Sequence, residues 1–168
     1  NPVSDIAALF WLFFYFKSVK PDSVHTHSSK AGILARWAAM AAGVRNIIHT
    51  FHGFGFTPLQ PYPVRQFFIW LEKITAGIST GLIAVAHENV KKALSYRIGT
   101  SGKYRVIRSG IDFRNFENNK KYAKLKKLLG LKETDKLVGN VSCFKPQKGL
   151  GDYISACSRL SGIQNCYF

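Results

Sequence analysis

A chain of 168 residues, 46% hydrophobic and 14% aromatic, holds enough apolar material for a packed core, which excludes disorder over most of its length. A formal net charge of +15 favours anionic partners, whether phosphorylated small molecules, anionic lipid or nucleic acid, and charge alone does not choose among them. Three widely spaced cysteines, Cys143, Cys157 and Cys166, show no C-x-x-C pattern, which excludes a disulfide framework and suits a reducing compartment.

The chain opens on the apolar run "IAALFWLFFYF", residues 6–16. Eleven residues fall short of the roughly twenty that span a bilayer. No basic leader or small-residue cleavage site marks a signal peptide. The expectation is a buried helix over residues 3–18 with Ser4 as its N-cap, a membrane-dipping helix being the alternative. After a turn at Pro21 and Asp22, residues 23–27 read as a short strand.

The alanine-rich "SKAGILARWAAMAA", residues 29–42, predicts a helix capped by Gly43, and "RNIIHT" predicts a second strand. A loop rich in Gly, Pro and Phe leads to a helix over residues 63–78. Residues 81–86, "GLIAVA", form an apolar run of the kind buried on both faces of a parallel sheet. A helix over residues 88–97 and a fourth strand in "KYRVIRSGID" follow.

Strands alternating with helices imply right-handed βαβ crossovers and an α/β fold: a Rossmann-like parallel sheet with flanking helices covering both sides. This first domain is expected over residues 1–112. Residues 113–135 read as a basic linker with a short amphipathic helix, its lysines at 120, 121, 124, 126 and 127 spread over several solvated faces. Residues 136–168 read as an incomplete second α/β unit, with a strand in "KLVGNVSCF", a helix over 149–160 and a strand starting at Cys166.

In open parallel sheets ligands bind beyond the carboxyl ends of the strands, which singles out the loops after His27, Thr50, Ala86, Arg108 and Phe144. His52 lies in one of them, and Gly53 beside it leaves the backbone N–H bare to a ligand. The competing reading is an imidazole bonded to backbone in an aromatic turn. The four histidines His25, His27, His49 and His52 do not have the spacing of a metal set: His25 and His27 share a strand face, while His49 sits inside the next strand with no Cys or carboxylate beside it. "KPQKG" sets Lys145 and Lys148 before a helix N-terminus, where unpaired N–H groups favour an anion such as a diphosphate, although an ordinary basic loop has the same composition. Neither a P-loop nor a G-x-G-x-x-G fingerprint is present, and no nucleic-acid-binding motif accompanies the lysines.

In order and spacing, "PDSVHTHSSKAGILARWAAMAAGV", "IIHTFHGFGF", "LIAVAHENVKKAL", "YRVIRSGID" and "VGNVSCFKPQKG" together resemble the family-4 glycosyltransferases of the GT-B fold. The resemblance implies two facing Rossmann-like domains, the first binding acceptor and the second the nucleotide-sugar donor. The chain would then hold most of the acceptor domain and the start of the donor domain, a fragment poorly active alone. The glycine-rich loop of the first strand and the donor-side glutamate pair would lie outside it.

The resemblance further implies transfer from a nucleotide-diphosphate sugar, with retention, to a glycan or lipid-linked acceptor of the cell envelope, without a metal or other cofactor. His52 and Gly53 match the family's histidine-glycine loop near the transferred sugar. Lys148 and Gly149 match its donor-side "KG", whose lysine is similar to a diphosphate clamp. Many members carry an arginine where this sequence has Cys143, a departure for which Lys145 would compensate. A cytoplasmic enzyme peripheral on an anionic membrane is the expected setting, with no specific nucleic-acid partner. The other readings are a non-catalytic basic module binding membrane or nucleic acid, and a nucleotide-sugar epimerase of similar two-domain fold.

Overall fold

In the computed structural model, which describes residues 1–115 and 119–168, the chain divides into two units, Asn1–Gly110 and Ile111–Phe168. The first runs α1 (Pro2–Val19), β1 (Ser23–His27), α2 (Ser29–Ala42), β2 (Asn46–Phe51), α3 (Tyr62–Ile78), β3 (Gly81–Ala84), α4 (His87–Ser95) and β4 (Tyr104–Val106). Its four strands are parallel and adjacent in chain order, β1-β2-β3-β4. Alanine-rich α2 stops where Gly43 turns to φ 85 and returns its N–H to Met40 O. The end of α3 is closed by Lys103, whose Nζ donates to the carbonyls of Ala76, Gly77 and Ser79 at 2.8–3.1 Å, satisfying acceptors that the helix leaves open.

Side chains in the sheet alternate between a packed and an open face. Val24 and Ile47 are buried and pack with Ala39 of α2, and Phe51, Leu82, Ala84 and Tyr104 are buried and pack with Ile69 and Ala76 of α3 and Ala93 of α4. Ser23, His25, His27 and Arg105 are exposed on the other face. Within this unit the helices therefore cover one side of the sheet, against the expected two. The strand order explains it: right-handed crossovers between successive neighbours put α2, α3 and α4 on the same face, and two-sided cover by crossover helices needs a reversal of strand order.

Helix α1 also departs from expectation. It covers 18 residues, starts with Asn1 as its N-cap in place of Ser4, and has no buried residue. Phe16 packs against Val24, Ala39 and Ile47, and Asp5 pairs with Lys30 of α2 at 2.8 Å, but Phe10, Trp11 and Phe14 on the far side stand exposed. A helix this apolar on every side cannot bury all of itself against one neighbour. Among the described residues it is the one helix long and apolar enough to cross a membrane by length and composition.

The second unit holds α5 (Asn119–Leu128), β5 (Lys136–Leu137), α6 (Leu150–Leu160) and β6 (Cys166–Tyr167), with β5 and β6 parallel. The expected strand over residues 136–144 shrinks to two residues, because β6 offers only two partners, and β4 is likewise three residues long. The linker expected over 113–135 includes residues 116–118, and the side chains of Lys120 and Lys121 also lie outside the described ones. Of its other lysines, Lys126 is buried and not solvated as expected: its Nζ donates to Glu133 O at 2.6 Å, which folds the following turn onto α5.

Candidate functional site

His27 and His52 meet at the carboxyl edge of the sheet. In the register of β1 with β2, His27 lies opposite Thr50, two residues before His52, so the end of one strand and the loop after the other bring both imidazoles to one place. His27 Nδ1 and His52 Nε2 are 3.0 Å apart, with both side chains exposed. The His25 ring, 4.4 Å from that of His27, covers Thr50 and bonds its hydroxyl at 2.8 Å. Burial first, and the charge of His27 second, lower the His25 pKa. The three exposed rings line the open face of the sheet, where they can offer hydrogen bonds to hydroxyl or phosphate oxygens.

His49, expected as a strand residue, faces the opposite side and is buried. Thr26 spends its hydroxyl proton on Ile48 O at 3.2 Å, so its Oγ1 accepts from His49 Nδ1–H at 2.8 Å. Burial and the nearby Arg36 charge push the His49 pKa down to about 3, which keeps the ring neutral. A Cβ on Gly32 would lie 2.5 Å from His49 Cε1, so glycine there lets α2 close over the imidazole.

Beneath lies an ion pair that leaves no local trace in the sequence. Arg36 of α2 and Glu72 of α3 are buried and meet at 3.0 Å, and Arg36 also donates to Gly32 O and Ser79 Oγ. Burial raises the Glu72 pKa and lowers that of Arg36, while each charge holds its partner ionised. The pair locks α2 to α3, the helix that follows the loop carrying His52.

That loop is braced. Phe56 is buried in the core, Lys92 lies 5.4 and 5.3 Å from the Phe54 and Phe56 ring centres, and Gln60 ties Gly55 O to Thr57 N. Gly53 is exposed, and a Cβ there would touch nothing, so packing does not demand glycine at this position.

In the second unit, Lys145 starts a 3-10 turn of residues Pro146–Lys148, and Gly149, at φ 62, ends it and opens α6. Lys145, just before this turn, and Lys148, its last residue, are exposed. A positive φ and a Cβ position 3.4 Å from Asp152 Oδ2 give Gly149 a backbone reason to be glycine. Among the described residues no group of three or more His, Cys, Asp or Glu is arranged to hold a metal.

The sequence named His52 and Gly53 but missed His27 as the partner of His52. The available signal was the spacing of His25 and His27 on one strand face, and only the strand register joins it to the next loop.

Residues 1–115 match Glycosyltransferase Family 4. A UDP-Gal:alpha-D-GlcNAc-diphosphoundecaprenol alpha-1,3-galactosyltransferase of Escherichia coli is 37% identical over 147 residues, 87% of this chain and 38% of that protein. Among solved structures, Anabaena Alr3699/HepE in complex with UDP superposes with a TM-score of 0.68 at 16% identity, covering 95% of this chain and 50% of that one. A glycosyltransferase from Rickettsia africae ESF-5 gives 0.62 at 16% identity, covering 100% of this chain and 52% of that one. The two structures show a shared fold, and the chain spans about half of their length and less than half of the curated relative's.

Proposed function

Because the chain belongs to glycosyltransferase family 4, we propose that it serves transfer of a hexose from a nucleotide-diphosphate sugar to a lipid-linked glycosyl diphosphate, with retention and without a metal cofactor. The 37% identity with a galactosyltransferase named for UDP-galactose and a diphosphoundecaprenol acceptor carries this reading, and makes UDP-galactose the donor to try first. His52 lies at the ligand edge of the parallel sheet and stabilises charge on the transferred sugar, with Gly53 beside it at the substrate. Lys148, Lys145 and the N-terminal amides of α6 after Gly149 neutralise the leaving diphosphate, since cations and a helix N-terminus both favour an anion. The enzyme works in the cytoplasm, peripheral on an anionic membrane, as the net charge of +15 favours.

The test is galactose transfer to a synthetic GlcNAc-diphosphate lipid, assayed in the fullest reading frame that contains this chain. His52→Ala is expected to lower turnover by about a hundredfold or more while the melting temperature holds. Lys148→Ala is expected to weaken UDP binding and leave uridine binding unchanged. Normal turnover in the first variant, or equal loss of both ligands in the second, contradicts the assigned roles.

A further inference from the structure

We propose that the outer face of α3 is the surface by which this chain docks on an anionic lipid bilayer, an inference that rests on the peripheral setting proposed above. Leu59, Tyr62, Val64, Phe67 and Trp70 are each at least 42% exposed, and all lie in the last loop residues and first turns of the helix. Phe67 and Trp70 stack with ring centres 6.2 Å apart, and the Arg65 guanidinium lies 5.7 Å from the centre of the Tyr62 ring. Amphipathic aromatic rings beside cations suit the boundary between headgroups and acyl chains.

Charge decides the occupant. The single carboxylate of α3, Glu72, is turned inward and buried against Arg36, so the exposed face presents Lys73, with the half-buried Arg65 at its edge, and no exposed acid of its own helix. A second copy placed face to face would set these cations against their own kind, and each copy carries +15 overall. Anionic headgroups complement them. The short, Gln60-braced loop joins this face to His52, so docking here would hold the histidine edge close to a lipid-linked acceptor. Helix α1 exposes a longer apolar face, but its one exposed cation, Lys17, lies in the last turn, and the pattern does not say what covers it.

Flotation of the whole chain with vesicles tests the proposal. The chain is expected to rise with vesicles of phosphatidylglycerol and phosphatidylethanolamine and to rise far less with phosphatidylcholine alone. Phe67→Ser with Trp70→Ser should cut the bound fraction about tenfold, and Lys73→Glu should weaken binding and its salt dependence, each with an unchanged far-UV melting curve. Phe10→Ser with Phe14→Ser on α1 serves as the control and should bind as the parent does. Flotation lost in the α1 variant and kept in the α3 variant overturns the assignment, as does a parent chain that ignores vesicles. A parent dimer that the α3 variant converts to monomer assigns the face to a second copy and also overturns it. Failure of the glycosyltransferase reading shows separately, as absent UDP-galactose binding by the fullest reading frame that contains this chain, with vesicle binding intact.

Discussion

His27 Nδ1 and His52 Nε2 stand 3.0 Å apart, so each imidazole fixes the orientation of the other at the open edge of the sheet. One nitrogen carries the shared proton and the other accepts it, leaving His52 Nδ1 for a substrate. Loss of one hydrogen bond worth about 1 kcal/mol slows the step it supports by about five- to tenfold. His27→Ala is therefore expected to lower kcat by that factor with little change in KM. His27→Asn, whose amide reaches the position of Nδ1, should recover most of it. A fall in stability that matched the fall in rate, or no recovery with Asn, would assign His27 to folding alone.

The alternation of helix and strand was legible because α2 and β2 obey local rules: an alanine run ended by Gly43, then the β-branched pair Ile47 and Ile48. Strand lengths were not, since "KLVGNVSCF" has the composition of a long strand but finds only the two residues of β6 to pair with. One-sided cover of the sheet was hidden for a related reason, because residues 81–86 read the same whether one face or two is buried. The position of His52 on the ligand edge followed from element order, whereas its contact with His27, 25 residues earlier, needed the register of two strands. Arg36 and Glu72 carry no motif at all, and only the packing of α2 on α3 reveals them.

That buried pair makes an energetic prediction. Removing one partner leaves a desolvated charge without compensation, which costs about 3–5 kcal/mol. Glu72→Ala is expected to destabilise the chain by that amount in urea, and Arg36→Met by a similar amount. The double variant Arg36→Met, Glu72→Leu should recover most of the loss, because an apolar pair of similar volume carries no desolvation penalty. If the double variant is as unstable as the sum of the singles, the hydrogen bonds from Arg36 to Gly32 and Ser79 matter more than the charge pair.

His49 makes stability depend on pH in a defined direction. Its folded pKa is about 3, against an ordinary 6.5, because the ring is buried beside Arg36. Between those values the unfolded chain binds a proton that the folded chain refuses. The neutral ring's contribution is therefore complete above pH 6.5 and drains away as pH falls toward 3, with a slope approaching about 1.4 kcal/mol per pH unit in the middle of the window. Urea unfolding at several pH values, compared between the parent and His49→Gln, isolates this part, since the carboxylates contribute equally to both. The parent should lose stability faster than the variant on going from pH 6 to pH 4, by about 2–3 kcal/mol in total. Parallel curves for the two proteins would mean that the folded state accepts the proton after all, and that Thr26 and Arg36 do not hold the ring neutral.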